Sequence, residues 1–341
     1  IGTRAFGEDP AAAEALTGAL VAGMQETGVA ATLKHFPGHG DTATDSHYAL
    51  PVVRHDAAWL RGVELPPFAA GIAAGARLVM SAHVALPTLT GSASIPATLS
   101  PAILRGLLRK ELGFTGVIIS DALDMAAIAQ GPVLVVEALA AAKAGVDLLI
   151  LTTAALDPEI IYAGLVQAIR RGLLDADDTL ASARRVLALK DWLAGQPQPP
   201  LSVVNSAAHR ALARDVSARA VTLVRDTAGR LPLRLAPEAR VAAVVPQPAD
   251  LTPADTSSYE TPGLAAALRR YQAQVEEFII PLNPAPAEVG ALAEAIGGCD
   301  LVVVGTINAM SHAGQAALVN ALLDKGVPTV AVALRRPGDL L

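Results

Sequence analysis

Short apolar segments alternate with longer helix-forming segments along this chain, and this alternation limits the fold more than any other feature. The first strand candidates are residues 29–33, 77–81, 116–120 and 147–151. Strands separated by a helix are typical of parallel β-α-β units, because a parallel connection needs a crossover of a dozen or more residues. The sequence therefore predicts an α/β fold with parallel sheets.

The helices between these strands carry the expected boundary signals. Asp or Ser before Pro suits the N-cap and the first helical position, and Gly suits the C-terminal end of a helix. The start signals are Asp9-Pro10, Ser100-Pro101 and Asp157-Pro158, and the stop signals are Gly28, Gly113 and Gly172.

A Pro-rich stretch at residues 196–200 is typical of an extended linker. After it, strand candidates at 221–225, 241–245, 275–280, 301–305 and 329–334 alternate with helix candidates at 205–219, 262–273, 287–297 and 312–325. We therefore predict a first domain over 1–195, a linker over 196–204, and a second, doubly wound α/β layer domain over 205–341.

Residues 34–47 form an unusually dense group of titratable side chains. One Lys, three His and two Asp occur in this stretch, although only 17% of the chain is charged. Pro37, Gly38 and Gly40 disfavour a helix here. The stretch begins directly after the strand candidate 29–33, and polar groups on an irregular loop at a strand end are typical of a chemical site.

The strand candidate 116–120 leads into a second polar group. Asp121 follows its β-branched run, and Asp124 comes three residues later in a turn. Acidic residues at the C-terminal ends of strands are the usual catalytic positions of β/α barrels. The competing interpretation is that Asp121 only caps the strand, and Asp124 is more typical of a turn cap or a solvent-facing carboxylate.

Together these segments resemble glycoside hydrolase family 3, in its β-N-acetylglucosaminidase branch. The resemblance rests on KHFPGHGDTATDSH at 34–47, ISDALDM at 119–125, MSAH at 80–83 and the opening IGTRAFGEDP at 1–10. It implies an eight-stranded β/α barrel followed by an α/β layer domain. Since residues 1–195 hold four strand candidates, we expect the second half of such a barrel there, with its first half upstream and the second domain truncated.

The resemblance also implies a retaining β-N-acetylglucosaminidase that hydrolyses terminal N-acetylglucosamine from peptidoglycan-derived or chitin-like saccharides. Asp121 is then the nucleophile, which forms a covalent glycosyl intermediate. The resemblance assigns the proton donor to His47, and imidazole does exchange protons near neutral pH. Asp45, two residues earlier, can bond the far ring nitrogen and stabilise the imidazolium.

Four further residues are implied as sugar contacts. Lys34 and His35 follow the strand candidate 29–33, Arg4 lies in the opening motif, and His83 ends the MSAH segment. A buried histidine with satisfied hydrogen bonds is the competing interpretation for His83. We interpret His39 as loop structure.

Composition argues against several classes of partner and fits the small saccharide that the resemblance implies. The net charge of −6 and pI near 5.6 argue against a nucleic-acid or anionic-membrane surface. Aromatic residues are only 3%, which disfavours an extended aromatic platform for polysaccharides. No apolar run is long enough to span a bilayer, and we expect no cofactor. The single cysteine, Cys299, excludes an intramolecular disulfide and leaves the compartment undetermined. A cytoplasmic location is slightly favoured, and a signal peptide upstream of Ile1 stays open.

Three other functions fit parts of the pattern. His35 and His39 have the spacing of a zinc-binding helix, but Pro37 and Gly38 lie between them and no Glu does. A non-catalytic glycan-binding protein is disfavoured because Asp45, His47 and Asp121 are all present. A phosphorylase on the same scaffold stays open, because a histidine donor would not repel incoming phosphate as an ionised carboxylate would.

Overall fold

The computed structural model describes residues 4–129, 134–152, 158–250, 257–259 and 262–340. It contains two four-stranded sheets, and all strand pairs in both are parallel, which confirms the predicted α/β class. The chain divides into two compact units, Ile1–Pro199 and Pro200–Leu341. Asp157 and the first three residues of the opening motif lie outside the described residues.

The first unit alternates strands and helices as the sequence predicts. Its strands are β1 Thr32–Phe36, β2 Leu78–Ser81, β3 Val117–Ala122 and β4 Leu148–Ile150. Its helices are α1 Pro10–Glu26, α2 Ala57–Trp59, α3 Leu65–Ala73, α4 Pro87–Thr90, α5 Val135–Ala144, α6 Pro158–Arg170 and α7 Ala176–Ala194, with π-helical segments Leu60–Glu64 and Ala102–Glu111 and a 3₁₀ turn Ala97–Leu99. The predicted cap at Asp9 is present, because its carboxylate accepts from the backbone N–H of Ala11 at 3.0 Å.

The strand order is β1-β2-β3-β4, so neighbours in sequence are neighbours in the sheet. Phe36 pairs with Ser81, and Ser81 pairs with Ser120. This register corrects the boundary predicted for the first strand. Backbone pairing continues to Phe36 and places Lys34 and His35 inside β1, whereas the sequence pattern had ended the strand at residue 33.

The core of the first unit includes the contacts between β1 and α3. Phe36 meets Phe68 of α3 edge-on, with ring centroids 5.1 Å apart. Gly71 of α3 lies directly against the Leu33 side chain, where a Cβ would collide, so the helix approaches the sheet closely. This contact fixes the C-terminal part of β1, which carries the polar residues.

The second unit has its own sheet, in the order β6-β5-β7-β8. Its strands are β5 Val241–Pro246, β6 Val275–Ile280, β7 Leu301–Thr306 and β8 Thr329–Ala333, and its helices are α8 Ala207–Ala220, α9 Leu264–Leu268, α10 Pro286–Ile296 and α11 Ala313–Asp324, with 3₁₀ turns at Leu201–Val203, Ser257–Tyr259, Ala309–Ser311 and Pro337–Leu340. The strand predicted at 221–225 is wrong: the segment is irregular, and Val221 is 83% exposed. Its β-branched residues have no strand partner among the described residues, and strand propensity depends on packing against one.

Within the described ranges, every helix is too short or too polar to cross a lipid bilayer.

A buried carboxylate fastens the N-terminal edge of the first sheet. The Asp147 side chain is 0% exposed and accepts from the guanidinium groups of Arg109 and Arg185, each at 2.7 Å. It also accepts from the Ser182 hydroxyl at 2.7 Å and the backbone N–H of Ile118 at 2.8 Å. Asp147 therefore joins β3, β4 and α7 at one point.

We expect Asp147→Ala to lower the free energy of unfolding by about 3 kcal/mol or more, because two partly buried guanidinium groups lose their counter-charge. The matched control is Asp178→Ala, which breaks an exposed pair with Arg105 and should cost less than about 1 kcal/mol. Denaturant unfolding of both variants measures the difference. Equal losses would mean that Asp147 does not hold this edge.

Candidate active site

Two strand ends of the first sheet bring the predicted residues together. β3 carries Asp121 near its C-terminal end, and β1 carries His35. The Nε2 atom of His35 lies 3.7 Å from Oδ2 of Asp121, and the two side chains are 10% and 21% exposed. A partly open carboxylate beside a nearly buried imidazole therefore occupies the carboxyl edge of the sheet, where the chemistry of β/α barrels is located.

The electrostatics of His35 shows which charges surround it. Its pKa is lowered to about 4, chiefly by burial and further by the positive charges of Lys34 and Arg4, against the opposing effect of Asp121. His35 is therefore neutral at neutral pH. The predicted residues Arg4, Lys34, His35 and Asp121 thus belong to one electrostatic cluster, in which the Arg4 and Lys34 side chains are exposed.

The loop that follows β1, residues 37–47, carries the second predicted pair. The Nδ1 atom of His47 lies 2.7 Å from Oδ1 of Asp45, and the backbone N–H of His47 donates to the same oxygen at 2.9 Å. Burial alone would raise the pKa of Asp45, but the bonds from the His47 backbone and ring hold that pKa below its usual value. Asp45 is therefore an ionised carboxylate that faces the imidazole of His47.

His39 connects the 37–47 loop to the strand end. Its Nδ1 atom lies 2.9 Å from the Thr42 hydroxyl and its Nε2 atom 3.1 Å from the Ser46 hydroxyl. Its ring also meets the ring of His35 edge-on at 5.8 Å. Burial lowers the pKa of His39, so a neutral ring spans the loop beside His35.

A backbone bond fastens the same loop to the turn after β3. The carbonyl of Ser46, the residue between Asp45 and His47, accepts from the N–H of Ala127 at 3.2 Å. The loop that carries Asp45 and His47 is thus held to the segment that follows Asp121.

Asp121 and Asp124 have different surroundings. Asp124 accepts from the Thr152 hydroxyl at 2.6 Å and from the Thr152 backbone at 3.2 Å, and so caps the end of β4. Asp121 points instead toward His35. This agrees with the interpretation of Asp124 as a turn cap.

His83 occupies a different environment from the other predicted sugar contacts. The residue is 1% exposed. Its Nε2 atom donates to the Ala122 carbonyl at 2.9 Å, and its Nδ1 atom lies 2.8 Å from the Thr98 hydroxyl. Both ring nitrogens bond to protein, as the competing interpretation of a satisfied buried histidine requires, and His83 supports the residue next to Asp121.

Sequence reasoning assigned His39 to loop structure but missed its hydroxyl partners, Thr42 and Ser46. The spacing of Thr42 and Ser46 gives no signal for these bonds, because they depend on the path of the loop. The same contacts argue against the zinc-binding alternative for His35 and His39, because both ring nitrogens of His39 already face hydroxyl groups. Among the residues that the structure describes, no group of three or more His, Cys, Asp or Glu is arranged to hold a metal ion.

Residues 1–189 match the Glycosyl hydrolase family 3 N terminal domain, which is more than half of the 341 residues. The chain therefore belongs to glycosyl hydrolase family 3, and the resemblance seen in its motifs is confirmed.

Individual relatives agree with this family. A β-hexosaminidase of Stenotrophomonas maltophilia strain K279a is 42% identical over 193 residues, which are 54% of this chain and 57% of that protein. β-Hexosaminidase A of Pseudoalteromonas piscicida is 36% identical over 254 residues, or 69% of this chain and 42% of that protein. The aligned part of this chain thus spans about half the length of the curated relatives it matches.

A solved structure extends the similarity over the whole chain. The glycoside hydrolase family 3 β-N-acetylglucosaminidase from Paenibacillus sp. str. FPU-7 superposes with a TM-score of 0.86 at 33% identity. The match covers 100% of this chain and 65% of that chain.

The buried state of His35 predicts a pH dependence of stability. Its pKa falls from 6.5 in the unfolded chain to about 4 in the fold. Between these values the unfolded state binds a proton that the folded state does not, so stability is lost as the pH falls through this window. We expect His35→Gln to reduce the stability lost between pH 7 and pH 4.5 by up to about 3 kcal/mol.

Denaturant unfolding at the two pH values provides the measurement, and His209→Gln on the exposed face of α8 is the control. If both variants lose as much stability on acidification as the parent protein, His35 is not buried in its neutral form.

Proposed function

We propose that this chain carries the catalytic site of a retaining β-N-acetylglucosaminidase that removes terminal N-acetylglucosamine. The observation that carries the proposal is the Asp45–His47 pair at 2.7 Å, on a loop bonded to the turn that follows Asp121. A nucleophilic carboxylate and an imidazole with its own carboxylate partner supply the two functions that a retaining mechanism requires.

In the first step, the Asp121 carboxylate attacks the anomeric carbon and the glycosidic bond breaks. The leaving oxygen takes its proton from Nε2 of His47. Because a carboxylate only accepts, Nδ1 of His47 donates to Asp45, and the acid is therefore the imidazolium that Asp45 stabilises. Asp45 is suited to this, since its pKa is held low by His47.

In the second step, a water molecule attacks the glycosyl ester on Asp121. The neutral His47 left by the first step removes the proton of that water, which restores the imidazolium and releases the sugar. The same residue thus serves as acid and then as base.

Three of the predicted contacts suit the sugar ring. Lys34 and Arg4 are exposed cations close enough to lower the pKa of His35, and both donate hydrogen bonds to hydroxyl groups. His35, neutral beside Asp121, can accept or donate to a hydroxyl without adding charge next to the nucleophile. His83 stays outside this set, because its ring is committed to Thr98 and Ala122.

The proposed substrates are peptidoglycan-derived saccharides first and chitin-like saccharides second. Two relatives bear the name β-hexosaminidase, and the Paenibacillus structure is a β-N-acetylglucosaminidase. Product identification on a muropeptide and on chitobiose, with and without phosphate, tests the proposal. Free N-acetylglucosamine in both buffers supports hydrolysis, whereas a sugar phosphate would favour the phosphorylase.

We expect a 2-deoxy-2-fluoro sugar with a good leaving group to label Asp121. Fluorine slows both steps, but the activated leaving group restores the rate of the first step only, so the covalent intermediate accumulates. Peptide mass analysis locates the label, and Asp124→Asn serves as the control that should still be labelled. Label on Asp124, or turnover with no label, would contradict the assignment.

We expect His47→Ala to lower kcat/KM on a natural disaccharide by roughly 100- to 10,000-fold, the range of general acid catalysis. A nitrophenyl glycoside should lose much less, because its leaving group needs little protonation. Asp45→Ala should act in the same direction but more weakly, whereas Asp121→Ala should abolish turnover of both substrates.

The decisive quantity is the ratio of kcat/KM on the disaccharide to kcat/KM on the nitrophenyl glycoside. An unchanged ratio in His47→Ala would make His47 a binding or structural residue.

A further inference from the structure

Another histidine, His55, lies beside the 37–47 loop on a platform formed by Thr88, Asp56 and Trp59. Its carbonyl accepts from the Thr88 hydroxyl at 2.7 Å, which fixes its backbone. The next residue, Asp56, caps α2 by accepting from the Trp59 N–H at 2.7 Å. The ring of His55 stacks on the ring of Trp59, with centroids 4.5 Å apart and an angle of 21° between the planes.

The loop reaches this platform through Asp41. Its carboxylate makes a short contact with Nε2 of His55. The Asp41 side chain is 63% exposed and that of His55 is 35% exposed, so this is a surface contact between the loop and the segment that precedes α2. Such a pair contributes little to global stability, but it fixes where the loop lies.

A second contact holds the start of the same loop. The Glu64 carboxyl group lies directly over Gly38, where a Cβ would collide with it. Burial raises the pKa of Glu64, the charge of Asp41 raises it further, and His55 opposes this. Asp41, His55 and Glu64 therefore form one cluster at the outer side of the loop.

Contacts inside the loop connect Asp41 to His47. Thr42 follows Asp41, and its hydroxyl bonds to the ring of His39. The other nitrogen of that ring bonds to Ser46, whose neighbour is His47. A displacement of Asp41 thus has a continuous bonded route to the imidazole.

We propose that His55 is a positioning residue for the hydrolysis, which it serves by pairing with Asp41 and holding the 37–47 loop where His47 meets the leaving group. This rests on the proposed role of His47 as proton donor. His55 makes no contact with the reacting atoms in this scheme. Its effect is geometric, and small displacements of a reacting group are costly in rate.

Two variants break the contact in different ways. His55→Phe keeps an aromatic ring to stack on Trp59 but removes the nitrogen that meets Asp41, and Asp41→Ala removes the carboxylate at an exposed position. The matched control is Glu111→Gln, which breaks the exposed Arg61–Glu111 pair of 2.7 Å in the segment next to Trp59.

The measurement is the same ratio of kcat/KM values, disaccharide over nitrophenyl glycoside. We expect His55→Phe and Asp41→Ala each to lower it by about tenfold, in the direction of His47→Ala, since misplacement weakens proton donation selectively. Glu111→Gln should leave the ratio unchanged. The double variant should be no worse than the more affected single variant, because the two residues act as one unit.

The outcomes separate the two proposals. If His47→Ala shifts the ratio but neither His55→Phe nor Asp41→Ala does, the role of His55 is overturned and that of His47 stands. If His47→Ala itself leaves the ratio unchanged, the proton donor is misassigned and the role of His55 falls with it. Asp41→Ala keeps the test decisive if His55→Phe does not fold, because the Asp41 side chain is mostly exposed.

Discussion

Parallel pairing of the first three strands is the constraint on which the site depends. Backbone bonds align Phe36, Ser81 and Ser120 across the sheet, so the residues around these strand ends meet at one edge. His35 and Asp121 are far apart in sequence, and this register alone brings them within 3.7 Å. At the opposite end of β3, the strand that carries Asp121, Asp147 joins this strand to β4 and α7.

The histidines of the candidate site differ in burial and in hydrogen-bond partners. Burial lowers the pKa of His35, His39 and His83, which therefore serve as neutral hydrogen-bonding groups inside the fold. His47 alone of the loop and strand-end histidines is paired at 2.7 Å with a carboxylate on its own loop, Asp45. Different surroundings for chemically identical groups are how a fold assigns distinct roles to them.

The 37–47 loop owes its position to contacts on both of its sides. Ser46 bonds to Ala127 on the inner side, and Asp41 meets His55 on the outer side. Between them, His39 bonds across the loop and makes it a unit rather than a free chain. Under the proposed role of His47, the loop needs this balance, since it must admit a substrate and still define one geometry.

The sequence by itself determined the α/β class, most strand positions and the identity of the residues that meet at the site. These follow from local patterns: apolar runs, helix caps and the motif at 34–47. The tertiary structure alone decided the extent of β1, the exposure of 221–225 and the hydrogen bonds that occupy both ring nitrogens of His83. Each depends on partners distant along the chain, and a residue's own neighbours in sequence carry no information about such partners.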